Sequence, residues 1–239
     1  IAPELRDDTG EIDQAEKGHL PRLVELSDIK GDFHGHTAWS DGNSSIEDMA
    51  AAAKARGYEY LAITDHSAGR GIAHGLSVER LKQQIAEVRA VEEKVGIRLF
   101  TGMEVDIRSD GTLDAPEEML EQVDIVVAAV HSAMSQDQDK MTQRMIKAIE
   151  SPHVDILAHP TCRLLGEREP VSVDIEALYR AALRTYTALE INAMPPRLDL
   201  KDIHAYRARE MGVKLTIGTD SHRPEHLGYM RFGVGVARR

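Results

Sequence analysis

"KGDFHGHTAWSDGNSSIEDMAAAAKARGYEYLAITDHS", residues 30–67, reads as one strand–helix–strand unit. "KGDFH" (30–34) and "YLAITDH" (60–66) are short apolar runs of strand type. Between them, "SSIEDMAAAAKARG" offers a capping box in Ser44 and Glu47, and Gly57 supplies a helix stop. Side chains alternate along extended chain, so His34 and His36 face the same way, with Asp41 in the loop that follows. An isolated His-x-His is equally well explained as a half-buried strand with two incidental imidazoles. The test is whether ligand-type residues recur at equivalent places further on.

The alternation does recur. Strands are expected at "RLFTGMEVDI" (98–107), "DIVVAAVHS" (124–132), "VDILAHP" (154–160), "ALEINA" (188–193) and "VKLTIGTDSH" (213–222). Helical patterns lie between them. "SVERLKQQIAEVRAVEEKVG" opens on Ser77 and closes on Gly96, and "SVDIEALYRAAL" repeats Ile175, Leu178, Tyr179 and Ala182 at helical spacing. Seven strands alternating with helices imply an α/β fold with a mainly parallel sheet. No G-x-G-x-x-G opens any helix, so a dinucleotide fold has no support, and a closed or nearly closed (βα)7 TIM-like barrel is the better expectation. Residues 1–30 stand outside the alternation and read as an N-terminal extension or linker.

On that barrel the ligand-type residues fall into register. His34, His36 and Asp41 belong to the first strand and its loop. His66 ends the second strand, Glu104 lies on the third, His131 ends the fourth and His159 the fifth, and Asp220 and His222 end the seventh. Nine metal-capable side chains thus collect at the C-terminal ends of six strands, where barrel enzymes build their sites. A core histidine satisfied by a carbonyl explains any one of the six imidazoles; it does not explain nine ligand-type residues together. The reading is a multinuclear metal site.

The other histidines, His19, His74, His153, His204 and His226, are expected away from this cluster, and the lone thiol of Cys162 is expected to be inert. Asp32 and Asp106 share the faces of His34 and Glu104 and are candidates to hydrogen-bond the ligands. Arg163 and Arg197 are placed in loops that top the barrel, where guanidinium forks suit phosphate, with Arg70 as a third candidate.

Composition narrows the function classes. No run of about 18 apolar residues occurs, so no membrane span is expected. The N-terminus is acidic and lacks the apolar stretch of a signal peptide. One cysteine excludes an internal disulfide framework and fits a reducing compartment, with cytoplasm as the default. The chain begins at Ile1 and so reads as an excised domain or a processed product. A net charge of −11 with 4% aromatic residues shows neither the basic face of a non-specific DNA binder nor a stacking platform for single strands.

The motifs "HGHTAWSDG", "AITDHS", "GMEVDI", "VHS", "AHP" and "GTDSH" resemble those of the PHP family, the polymerase and histidinol phosphatase domain, from Lys30 onward. The resemblance implies a distorted (βα)7 barrel at residues 31–239 with its metal cluster at the C-terminal face of the strands. It implies one ion held by His34, His36, Glu104 and Asp220. Glu104 would bridge to a second ion on His131 and His159, and Asp41, His66 and His222 would hold a third. His36, Glu104 and Asp220 would be the catalytic core. Two to three Mn2+ and/or Zn2+ ions are implied as cofactors, with manganese favoured for activity.

"ELRDDTGEID", "LPRLVEL" and "LEINAMPPRLDL" further resemble the C-terminal PHP domain of bacterial family X DNA polymerases. Residues 1–30 would then join this domain to a preceding polymerase region, and the partner would be DNA. The activity implied is metal-dependent processing of DNA 3′ ends: 3′–5′ exonuclease, 3′-phosphatase or abasic-site cleavage. Two alternatives are a small-molecule phosphatase of the histidinol-phosphate type and a metal-bound structural module without turnover. Charge supports an anionic substrate in either enzyme. Three divalent ions would bring about six positive charges against roughly three from Asp41, Glu104 and Asp220, while the ligating histidines stay neutral.

Overall fold

The structure, a computed structural model, describes residues 1–239 except Asp7, Thr9 and residues 70–73, so Arg70 lies outside the described residues. Seven parallel strands follow one another in sequence order across the sheet. They are β1 (Gly31–Asp32), β2 (Tyr60–Ile63), β3 (Arg98–Asp106), β4 (Ile125–Ala129), β5 (Ile156–Leu157), β6 (Ala188–Asn192) and β7 (Leu215–Gly218). The helices are α1 (Glu11–Glu16), α2 (Ile46–Ala55), α3 (Val78–Val95), α4 (Glu117–Leu120), α5 (Gln138–Ile149), α6 (Ile175–Thr185), α7 (Asp202–Glu210) and α8 (Met230–Ala237). This is a nearly closed, distorted (βα)7 barrel.

No continuous ladder joins β7 back to β1; the seam is closed just beyond the strand ends. Gly35 and Ser221 form a parallel bridge, and His36 N donates to Ser221 O at 2.7 Å. The buried carboxylate of Asp32 staples the same seam by accepting from His34 N (3.1 Å) and from Thr219 N (3.2 Å) and Oγ1. Asp32 therefore fixes the backbone of a candidate ligand rather than its ring.

The strands are shorter than their apolar runs. Most ligand-type residues follow the point where the chain leaves the ladder, Glu104 within β3 being the exception, and two of them, His159 (φ 30°) and Asp220 (φ 52°), sit in the left-handed region that non-glycine residues adopt uncommonly. Such strain gathers at functional sites.

Helix α2 shows how local chemistry sets the layers. Ile46, Met49, Ala50 and Ala53 are fully buried at helical spacing, and each large one contributes about 1.5–3 kcal/mol through burial. That stripe makes Ile46 the first helical residue, so the cap is Ser45, whose side chain accepts from Asp48 N while Asp48 caps in return. The expected Ser44–Glu47 box is thus displaced by one residue. Gly57 follows with φ +80° as the stop. Helix α3 is capped by Ser77 and ends at Gly96 with φ 70°, as its sequence predicts.

Among the described residues of 1–30 none belongs to a strand, and the segment docks on the last helix. Arg238 Nε meets Glu4 at 2.6 Å, and its Nη1 donates to Val24 O at 2.9 Å and Glu25 at 2.5 Å. Among the described residues no helix is long and apolar enough to cross a membrane.

Candidate metal centre

Glu104 stands at the middle of the site. Its carboxylate lies near ring nitrogens of five histidines: His66 at 3.0 Å, His159 at 3.2 Å, His131 at 3.4 Å, His36 at 3.5 Å and His34 at 3.6 Å. Asp220 lies 3.3 Å from His36, and Asp41 lies 3.4 Å from both His66 and His222. Ligands about 2.0–2.2 Å from a shared ion stand about 3.0–3.5 Å apart from each other, so these separations suit the edges of coordination shells. Three groups have their ligand atoms mutually within 4.8 Å: His36–Asp41–His66–His222, His34–His36–Asp220 and His66–Glu104–His131. His159 reaches this assembly through Glu104.

The loop that carries His36 and Asp41 is fixed from below. Buried Asp65 accepts from Thr37 N (2.8 Å), Thr37 Oγ1 (2.7 Å), Ser40 Oγ (2.5 Å) and Gln84 Nε2 (2.6 Å). The loop then folds back so tightly that a Cβ on Gly42 would lie 2.7 Å from the His36 carbonyl. Only glycine fits there without moving the main chain.

The donor set accepts divalent ions on a further ground. His34 Nε2 and both ring nitrogens of His36 are buried without a hydrogen bond, an arrangement that costs free energy unless something ligates them. Burial opposes a positive charge on every imidazole here. For His36 it prevails, helped by His66 and His222, and for His159 it is helped by Arg197; both are pushed down to about 3. For His34, His66, His131 and His222 the carboxylates outweigh burial and raise the pKa, to about 10 for His66. Burial likewise would raise Glu104 and Asp220, yet the facing histidines hold both well below the usual carboxylate range. The carboxylates demand positive charge, and divalent ions supply it while leaving the imidazoles neutral, as ligation requires.

The second ring nitrogens of three of the histidines are also held. Asp106 Oδ1 meets His131 Nδ1 at 2.6 Å, matching its expected role. His34 Nδ1 meets Glu190 Oε1 at 2.7 Å, and His222 Nδ1 lies 2.9 Å from the Asp220 carbonyl. Glu190 and its neighbour Asn192, 3.2 Å from Asp220 Oδ2, were not foreseen from the sequence. The available signal was two-residue alternation in "ALEIN", which sets Glu190 and Asn192 on the face opposite Leu189 and Ile191.

A cleft of about 270 Å³ opens over the cluster, lined by six of the nine residues together with Met194 and Arg197. Arg197 Nε stands 3.4 Å from Asp220 Oδ2, within the cleft. Arg163 does not line it. Its guanidinium donates to the carbonyls of Arg197 (2.8 Å) and Leu198, because the 194–199 loop turns back over it. Arg163 thus supports the loop that carries Arg197.

His153 pairs with Glu117 and His226 with Arg223, and neither they nor His19, His74 and His204 enter a ligand group. Cys162 is buried, which pushes its thiol up to about 12 and leaves it inert.

Residues 32–193 match the PHP domain family model. The DNA polymerase/3′-5′ exonuclease PolX of Bacillus subtilis (strain 168) is 45% identical over 240 residues, spanning 100% of this chain and 42% of that protein. A probable phosphatase of Thermoanaerobacter sp. (strain X514) is 34% identical over 222 residues, 87% of this chain and 84% of its own length. Among solved structures, a histidinol phosphate phosphatase from Lactococcus lactis, complexed with zinc, L-histidinol and phosphate, superposes with a TM-score of 0.64. It is 19% identical and covers 87% of this chain and 93% of its own, which shows a shared fold.

Proposed function

The chain belongs to the PHP family and is a metal-dependent phosphoesterase; from that premise we propose that it hydrolyses phosphoesters at DNA 3′ ends. The observation that carries the reading is the 45% identity across all of this chain to a protein named as a DNA polymerase and 3′-5′ exonuclease. Because this chain spans 42% of that relative, polymerase activity is no part of the proposal for these residues. Residues 1–30 act as the linker toward a preceding polymerase region, and residues 31–239 form the hydrolytic unit.

His34, His36, Glu104 and Asp220 would hold one divalent ion, Glu104 with His131 and His159 a second, and Asp41, His66 and His222 a third. Manganese and zinc both suit this nitrogen and oxygen donor set. When bound, such ions polarise phosphoryl oxygens and acidify an attacking water. The residues do the rest. Glu104, central among five histidines, would place its negative charge between these positions. Arg197 offers a guanidinium to a non-bridging phosphate oxygen at the cleft wall, where Asp220 keeps it oriented. Met194 lines one side of the cleft. The positive field is local to the cleft, so an acidic chain still selects an anionic ester.

A second reading, hydrolysis of a small phosphate monoester, is favoured by the probable phosphatases that match along 84% of their own length. One assay separates the two. The purified chain with manganese or zinc is offered a 3′-recessed duplex, a 3′-phosphate end and histidinol phosphate side by side. Preferred turnover of a DNA 3′ end supports the proposal; brisk turnover of histidinol phosphate with indifference to DNA overturns it.

A further inference from the structure

The three ligand groups are not supported alike. His34 is locked by Glu190, itself buried. The other Glu190 oxygen accepts from His159 N at 2.9 Å and Asn192 Nδ2 at 3.1 Å, so the carboxylate has no room to swing. His131 is locked by Asp106, whose own amide donates to Asp114 Oδ1 at 2.9 Å, while Asp114 accepts from Ser67 Oγ at 2.5 Å. The Asp41 and His222 side chains have weaker outer partners, although Asp65 fixes the main chain of the Asp41 loop. His222 Nδ1 has a main-chain carbonyl, and Asp41 has Ser40 Oγ at 3.4 Å. These two also face solvent: the Asp41 and His222 side chains are 30% and 24% exposed, against 1% and 8% for His34 and His131.

A carboxylate on the far nitrogen of an imidazole fixes the tautomer, orients the ring and raises its donor strength. A carbonyl on a half-exposed ring does less, and water competes at the open position. We propose that Glu190 and Asp106 are positioning residues that make the two deep ion positions tightly held, leaving the Asp41–His222 position as the exchangeable one. This rests on the metal reading above. Glu190 does so for the position of His34, His36 and Asp220, and Asp106 for that of Glu104 and His131. The exchangeable position lies where the cleft opens, so an ion there is free to arrive and leave with substrate.

The test is stepwise removal of metal from the manganese- or zinc-loaded full chain with chelators of graded strength, counted by elemental analysis. Two classes of ion are expected, the weaker lost at least tenfold more readily, and Asp41→Asn should abolish the weak class alone. Glu190→Gln keeps the size of the side chain but turns an amide toward either His34 or the His159 N–H. It should weaken one strongly held ion by about 10–100-fold and leave the weak class as it was. Asp106→Asn should do the same to the other strong ion, and provides the test if the first variant misfolds. Release of all ions in one class, or equal weakening of every class by both substitutions, overturns the inference and leaves the metal reading intact. A chain that binds no divalent ion overturns both.

Discussion

Gly218→Ala is a one-carbon perturbation with a calculable target. A Cβ at Gly218 would lie 2.2 Å from Glu190 Oε1 and 2.9 Å from His34 Cβ. Ordinary contact needs about 3.4 Å or more, so the carboxylate would have to retreat by about 1 Å, at a cost of roughly 1–3 kcal/mol for overpacking. Glu190 cannot retreat freely, because its other oxygen is tied to His159 N and Asn192. The expected outcome is a folded protein, destabilised by that amount in urea melts, whose hydrogen bond from Glu190 to His34 is broken. Metal affinity at the deep position should fall by about 10–100-fold, as it does when such outer partners are lost. Titration of the metal-free variant with manganese or zinc by calorimetry reads this directly. Wild-type affinity together with wild-type stability would refute the argument that this glycine exists to make room for the Glu190–His34 pair.

His36→Ala removes a ring shared by two ligand groups and should abolish hydrolysis and lower metal content while circular dichroism stays native; full activity with unchanged metal would contradict its placement. Arg197→Ala should lower kcat/KM by about 10–100-fold, the worth of a charged hydrogen bond of about 1.5–3 kcal/mol, with metal content unchanged. Asp199 gives a pH prediction: burial pushes its carboxyl up to about 6, against about 3.9 unfolded. A raised folded pKa favours the protonated form, so its stabilising contribution is complete below about pH 4 and is lost as pH rises through 6. Wild type should therefore lose about 2–3 kcal/mol relative to Asp199→Asn between pH 4 and pH 7, and a flat difference in denaturant melts across that window would rule this out.

The barrel and the clustering of the nine candidate residues were legible because both rest on short-range pattern. Strands of two to nine residues alternate with amphipathic helices, and the nine candidate ligands sit on the strands' C-terminal halves or in the loops that follow them. What the sequence hid depends on contacts across the barrel. Glu190 and Asn192 belong to a segment that reads as an ordinary buried strand. Their meaning arises when β6 packs between β5 and β7 and faces His34, 156 positions away. Arg163 and Arg197 look alike in the chain, and the reversal of the 194–199 loop, with Leu198 at φ 42°, decides which one reaches the cleft. Adjacent Ser44 and Ser45 offer the same cap chemistry. The buried stripe beginning at Ile46 selects the second.

The central claim is that these nine residues hold a cluster of divalent ions beneath the cleft. A crystal of the chain grown with manganese or zinc, measured at the metal absorption edge, tests it most directly. At least two anomalous peaks are predicted within coordinating distance of Glu104 and its surrounding histidines, about 3.5–4 Å apart where a carboxylate bridges them. A map with no peak there, or with metal bound only at surface histidines such as His153 or His226, would contradict the account.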